Sequence, residues 1–119
     1  MANPNIVNVT SILGKTETFA LTTTLTSLVT CASDKVYKLN SVIVANIDGS
    51  NAADVTIKVN NGSTDRSIAS TISVPADSSL TVIDKNSSFY LEETFVLKGQ
   101  AGANSDLECL VSYEILDDA

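Results

Sequence analysis

Histidine and tryptophan are absent from the 119-residue chain, and Arg66 is its single arginine. Without histidine there is no Ser-His or Cys-His catalytic pair, no imidazole metal ligand and no imidazole that titrates near neutral pH. Lys and Arg number 7 against 14 Asp and Glu, a net charge of −7. Because affinity for phosphate backbones depends on clustered cations, this balance argues against nucleic-acid binding. The composition predicts no catalytic residue, metal, cofactor or small-molecule substrate.

Cysteine and long apolar runs are also scarce. Cys31 and Cys109 are too few for a disulfide framework, and each lies in a β-patterned run. We expect two reduced core residues, with a bridge between strands as the alternative. No apolar run approaches the roughly 18 residues of a membrane span, and Met1–Asn5 has no secretory pattern. We therefore expect cytoplasmic synthesis and no membrane partner.

Residues that favour strands and turns dominate instead. Val, Ile and Thr account for 34 of the 119 residues, and such β-branched side chains suit a pleated, half-buried surface. Eight to ten period-2 stretches, separated by turns, predict an all-β, single-domain, two-sheet antiparallel sandwich with jelly-roll or Greek-key (immunoglobulin-like) connections. We expect an N-terminal arm and first strand in residues 1–13, followed by a sandwich domain in 14–119.

Three stretches define this pattern best. Ile6–Leu13 predicts a first strand that Gly14-Lys15 ends. Val36–Ile47 predicts the longest strand, with Tyr37, Leu39, Ile43 and Ala45 on one face and Val42 and Val44 on the other. Leu107–Leu116 predicts the last strand, with Leu110 and Leu116 on its outward side.

Apolar side chains in unexpected places predict a candidate interface. In the N-terminal segment these are Ile6, Val7, Val9, Ile12 and Leu13. On the nominally outward faces of the two best-patterned strands they are Val42, Val44, Leu110 and Leu116. The alternatives are a frayed terminus and scattered surface hydrophobes. The N-terminal residues predict an arm that lies on a neighbouring subunit and pairs with its sheet edge. The other four residues, if they cluster in space, predict an apolar patch for self-association.

The oxygen-rich segment Asp48–Asp54 is the best candidate for a metal loop. It lacks the glycine at position six and the glutamate at position twelve, where Val59 stands, of a calcium-binding loop. A hairpin turn explains the same residues, so we expect no metal here.

Several phrases of the chain resemble small structural proteins of marine tailed bacteriophages, cyanophages among them. The phrases are Val36–Asn46, Asn51–Thr56, Ser73–Leu80, Tyr90–Glu93 and Val111–Glu114, and the match covers roughly residues 5–116. They form a pattern of strands and turns without a catalytic signature.

The resemblance implies a β-sandwich of the virion, assembled in the host bacterial cytoplasm. Two roles follow from it: a head decoration (cement) protein, or a tail, neck or fibre component. For the first role the partners are the major capsid protein and further copies of this chain, as a dimer or trimer. A carbohydrate-binding module is a third reading, although the sequence offers few aromatic residues for a sugar platform.

Overall fold

The computed structural model describes residues 6–117 as a two-sheet β-sandwich. Nine strands make it up: β1 Ser11–Ala20, β2 Thr26–Thr30, β3 Lys35–Asn46, β4 Ala53–Asn60, β5 Asp65–Val74, β6 Ser79–Ile83, β7 Phe89–Leu91, β8 Val96–Ala101 and β9 Leu107–Asp117. The described residues contain no helix, and so none that could cross a membrane. The predicted all-β sandwich of eight to ten strands is confirmed.

The strand order identifies the connections as those of a jelly roll. One sheet has the order β1-β9-β3-β6, with β7 also pairing with β3, and the other has the order β2-β8-β4-β5; every pairing is antiparallel. The first strand pairs with the last, the second with the second last, and successive pairs alternate between the sheets. This is a chain folded as one long hairpin and wrapped around a single core.

The core lies between the two sheets. Among its members without exposed surface are Leu39, Val42, Val44 and Val111 from the five-stranded sheet, and Val55, Ile57 and Leu97 from the four-stranded sheet. Interdigitation of the two inner faces is what stabilises such a sandwich, since burial of each large aliphatic side chain contributes about 1.5–3 kcal/mol.

The first strand differs from its prediction. It begins at Ser11, passes through Gly14 and ends at Ala20, whereas the sequence pattern placed a strand at 6–13 with a break at Gly14. Ten consecutive residues of β1 pair with β9 without a register shift, so the expected division of the chain at residue 13 falls inside β1. A Cβ on Gly14 would meet nothing within 4 Å, and the glycine simply occupies an open outward position of the strand.

Candidate interaction surface

A β-bulge at Asn40 determines which side chains of β3 face the core. Leu39 pairs with Tyr113 and Ser41 pairs with Ser112, so Asn40 is the extra residue on its strand. Inserting one residue exchanges the two faces, because side chains alternate with period two. The inward row therefore changes from odd to even positions partway along β3.

The outward placement of Val42 and Val44 is wrong for this reason. Both lie in the core with 0 % of their surface exposed, which removes them as interface candidates. Ile43 and Ala45, which the alternation placed inside, point outward and are half-buried. The broken pattern around Asn40 and Ser41, polar residues in both phases of an otherwise apolar strand, is the sequence signal that indicates such a bulge.

The outward side chains of three adjacent strands form a shallow groove of about 530 Å³ on the outer face of the five-stranded sheet. We call it the outer groove; its lining includes Thr18 and Ala20 of β1, Ile43 and Ala45 of β3, and Glu108 and Leu110 of β9. The strand register places Thr18 and Ile43 on either side of Leu110. The groove is mainly apolar, with one carboxylate, that of Glu108, among these six residues.

Leu110 and Leu116 both lie on the outer face, as expected, but they differ in exposure. Leu110 is 37 % exposed and contributes to the outer groove. Leu116 is only 6 % exposed; it is paired on one side with Ile12 and on the other with Val36. Of the second set of candidate residues, Leu110 alone offers substantial surface to a partner.

The apolar residues of the N-terminal segment lie at the surface. Ile6 and Val7 are exposed and Val9 is half-buried. Ile12 and Leu13 belong to β1, where they are 61 % and 60 % exposed on opposite faces. Residues 1–5 of the expected arm lie outside the described range.

Both cysteines are free and buried, and neither has the properties of a nucleophile. Burial raises the pKa of the Cys109 thiol to about 12 and that of Cys31 to about 11. Reactive cysteines need a lowered pKa, because the thiolate is the attacking species. Cys31 instead donates a hydrogen bond to the carbonyl oxygen of Lys35, at 3.2 Å. Both thiols act as small core residues.

A polar cluster marks the partly open end of the inner face. Tyr113 stacks on Tyr37, with ring centroids 5.2 Å apart, and its hydroxyl donates a 2.8 Å hydrogen bond to Glu17. Burial, together with this bond to an acidic acceptor, raises the pKa of Tyr113 above its usual value. Glu17 also lies 3.8 Å from the ammonium group of Lys15. The neutral phenol therefore serves as a hydrogen-bond donor that orients Glu17.

The segment 48–54 begins with a turn that is held by its own aspartate and ends in the first residues of β4. The Asp48 carboxylate accepts hydrogen bonds from the backbone N–H groups of Ser50 and Asn51, at 2.8 and 3.4 Å. The bond from Ser50 is the main cause that lowers the pKa of Asp48. Within residues 6–117 no three Asp, Glu or Cys side chains come together as metal ligands. The carboxylate is used for the turn. This turn carries the chain from β3 in one sheet to β4 in the other, so the expected hairpin turn is wrong.

No protein-family model matches the chain, and no curated protein matches its sequence. Solved structures do match its architecture. A chain in the acidic stable capsid structure of the Helicobacter pylori bacteriophage KHP30 superposes with a TM-score of 0.57 and 9 % identity, over 93 % of this chain and 91 % of the other. The two chains share one fold.

A second match comes from the Bacillus endospore appendages, described as a novel family of disulfide-linked pili. It has a TM-score of 0.53 and 14 % identity, and covers 92 % of this chain and 90 % of the other. At such identities both likenesses establish the fold. The near-complete coverage in both directions shows that the whole sandwich, rather than a fragment, is shared.

Proposed function

We propose that this chain is a non-enzymatic structural protein of a bacteriophage virion, and specifically a decoration protein that binds the outside of the capsid lattice. The observation that supports this most is the whole-chain likeness to a chain of a phage capsid structure.

The outer groove is the surface that we assign to the capsid partner. It combines the apolar side chains of Ile43, Ala45 and Leu110 with a concave shape, on the outer face of the five-stranded sheet. Because a capsid presents the same site many times, each contact needs only modest area and affinity. Binding across the junctions of capsomers would stabilise the shell against the pressure of packaged DNA.

The segment before β1 is the second element of the proposed contact. Ile6 and Val7 are exposed apolar residues next to a sheet edge, which suits an arm that lies on a neighbouring subunit. Removal of residues 1–10, which stops short of β1, is then expected to lower occupancy on particles without unfolding the sandwich. Full occupancy of the truncated protein would exclude the arm from the mechanism.

The test compares two substitutions of equal chemistry on the two sheets. Leu110 and Ile68 are 37 % and 40 % exposed, so a lysine is tolerated at either position by the fold. In virions assembled with Leu110→Lys, we expect the ratio of this chain to major capsid protein to fall about tenfold or more, because a charge enters the contact. Ile68→Lys, in β5, is expected to leave that ratio unchanged.

The ratio of this chain to major capsid protein, measured by mass spectrometry of purified virions, also distinguishes the head role from a tail, neck or fibre role. A decoration protein is expected in copy numbers that follow the capsid lattice. The likeness to a pilus chain favours the fibrous alternative, which predicts a few copies per particle. Equal occupancy of both lysine variants would contradict the assignment of the outer groove.

A further inference from the structure

The outward edge of β1 is a long, regular strand edge. β1 lies at the end of its sheet, and its only pairing among residues 6–117 is with β9. The backbone N–H of Leu21 donates to the carbonyl of Leu107, at 3.0 Å, in the same register. Since hydrogen-bonded and non-bonded pairs alternate, the odd residues of β1 bond to β9 and the even residues point their N–H and C=O groups to the open edge.

The edge strands β2, β5 and β6 have irregular ladders, β7 has only three residues, and β1 is long and regular. The ladders of β2 and β6 each contain a register shift in a strand of five residues, and the ladder of β5 contains two. Such irregularities bend an edge away from a flat template, a common protection against strand addition. The ladder of β1 has ten pairs and no shift.

We propose that β1 pairs with β1 of a second copy, antiparallel and around a two-fold axis at Thr16. The five-stranded sheets of both copies then form one continuous sheet. Even residues meet even residues across the axis, which satisfies the outward backbone groups and keeps the inner faces of both copies on the same side. This inference concerns self-association and does not depend on the proposed capsid role.

The charges of β1 select this register from its neighbours. Axes at residues 15 and 16 give the longest overlaps of the ten-residue strand, nine residues each, and axes at 14 and 17 give seven. An axis at 15 places Lys15 opposite Lys15, and an axis at 17 places Glu17 opposite Glu17; like charges directly opposite one another destabilise a sheet. The axis at 16 places Lys15 opposite Glu17 twice. Their side chains remain 49 % and 33 % exposed, so they are accessible to a second copy.

Apolar contacts support the same arrangement. With the axis at Thr16, Leu13 lies opposite Phe19 on the inner face, and Ile12 lies opposite Ala20 on the outer face. The pairing therefore covers the two strongly exposed aliphatic side chains of β1, Ile12 and Leu13, which the single copy leaves open to solvent. Ala20 also lines the outer groove, so Ile12 of the second copy would extend its apolar wall.

Sedimentation of the full chain with charge variants tests the proposal. Lys15→Glu and Glu17→Lys each turn two attractive cross-strand pairs into repulsive ones, and each is expected to weaken dimerisation about tenfold or more. The double exchange Lys15→Glu/Glu17→Lys restores opposite charges and is expected to recover the dimer. Thermal unfolding of each variant as monomer reports any damage to the fold. A monomeric native chain, or a dimer indifferent to the single substitutions, would overturn the proposal.

Cross-linking tests the position of the axis. In Thr16→Cys the two introduced thiols face each other, within the 4.4–6.8 Å Cα separation that a disulfide allows, and we expect a covalent dimer under mild oxidation. In the matched control Gly14→Cys the two thiols lie roughly 13 Å apart along the strands, and no cross-link is expected. The buried native cysteines, with their raised pKa values, contribute little background. Efficient cross-linking of Gly14→Cys but not of Thr16→Cys would exclude this register.

Discussion

The two faces of β3 beyond Asn40 differ more than their sequences do. Val42 and Val44 face inward and have no exposed surface, whereas Ile43 and Ala45 face outward and line the outer groove. All four are aliphatic, and only the bulge separates their roles. Inward residues hold the sheets together; outward residues of the same kind create a surface that a partner can cover. Hydrophobicity alone therefore does not tell core from interface in a strand that is apolar on both faces.

The largest expected difference is between aspartate on the inner and on the outer face. Val44→Asp buries a carboxylate without a partner, and we expect a loss of about 4 kcal/mol or more in the free energy of unfolding. Ile43→Asp places the same group beside solvent and should cost about 1 kcal/mol or less. Urea denaturation of both variants measures the difference. Equal losses would mean that the two faces are not distinct.

Asn46, the last inward residue of β3, is the polar member of the inner row. Its amide donates to the carbonyl oxygens of Asn51 and Val74, at 3.0 and 2.9 Å, and its side-chain oxygen accepts the N–H of Asp48 at 2.9 Å. Asn46→Ala leaves these three backbone groups without this partner and is expected to cost about 3 kcal/mol.

Asn61→Ala is the matched control, because Asn61 accepts two backbone hydrogen bonds in an exposed turn. Water replaces those bonds, so a loss below about 1 kcal/mol is expected by the same denaturation measurement. A comparable loss for both asparagines would contradict the importance of burial for Asn46.

Gly99, which packs against core side chains, and Gly14, which lies on the exposed outer face, allow a second comparison of the two environments. A Cβ on Gly99 would lie 2.9 Å from Leu28 Cδ1 and 3.1 Å from Leu21 Cδ2, so Gly99→Ala is expected to cost about 1–2 kcal/mol through overpacking. Gly14→Ala meets open space and should raise stability by about 0.5 kcal/mol, because glycine loses more entropy on folding. The melting temperatures of the two variants, compared with that of the native chain, are expected to be lower for Gly99→Ala and higher for Gly14→Ala. A lower melting temperature for Gly14→Ala would show that other atoms of the protein occupy the space next to Gly14 on the outer face.

The last expected effect appears only in alkaline solution. The pKa of Cys109 rises from 9.0 to about 12 on burial, so the folded chain keeps this proton after unfolded chains have lost it. Stability is therefore unaffected below pH 9 and falls above it, by up to about 1.4 kcal/mol per pH unit for this thiol. Cys109→Ala is expected to make the decline between pH 9 and 10.5 less steep. An unchanged slope would contradict the burial of this thiol.

The sequence predicts most of the strands and the faces of β9, but not the faces of β3 beyond Asn40. β3, β7 and β9 lie within a residue or so of their predicted bounds, because each is a run of strand-favouring residues between turn residues. The candidate surface was predicted only in part: Leu110 lies in the outer groove, whereas Ile43 and Ala45 were assigned to the core. A bulge depends on pairing with β9, and a single strand's sequence does not contain that partner's register.

The prediction of the first strand was wrong for a related reason. Gly14 suggests a break, since glycine weakens strands, but the pairing of β1 with β9 outweighs that local preference. What keeps Gly14 in the strand is tertiary context, which the sequence pattern of β1 does not record.

A reconstruction of the particle that carries this chain, at a resolution that separates strands, tests the central claim most directly. The account predicts copies that repeat with the capsid lattice, with Ile43 and Leu110 covered by capsid protein and the row of Val42 and Val44 still packed inside the sandwich. Copies confined to the tail, or a lattice-bound chain whose outer groove faces solvent, would contradict it.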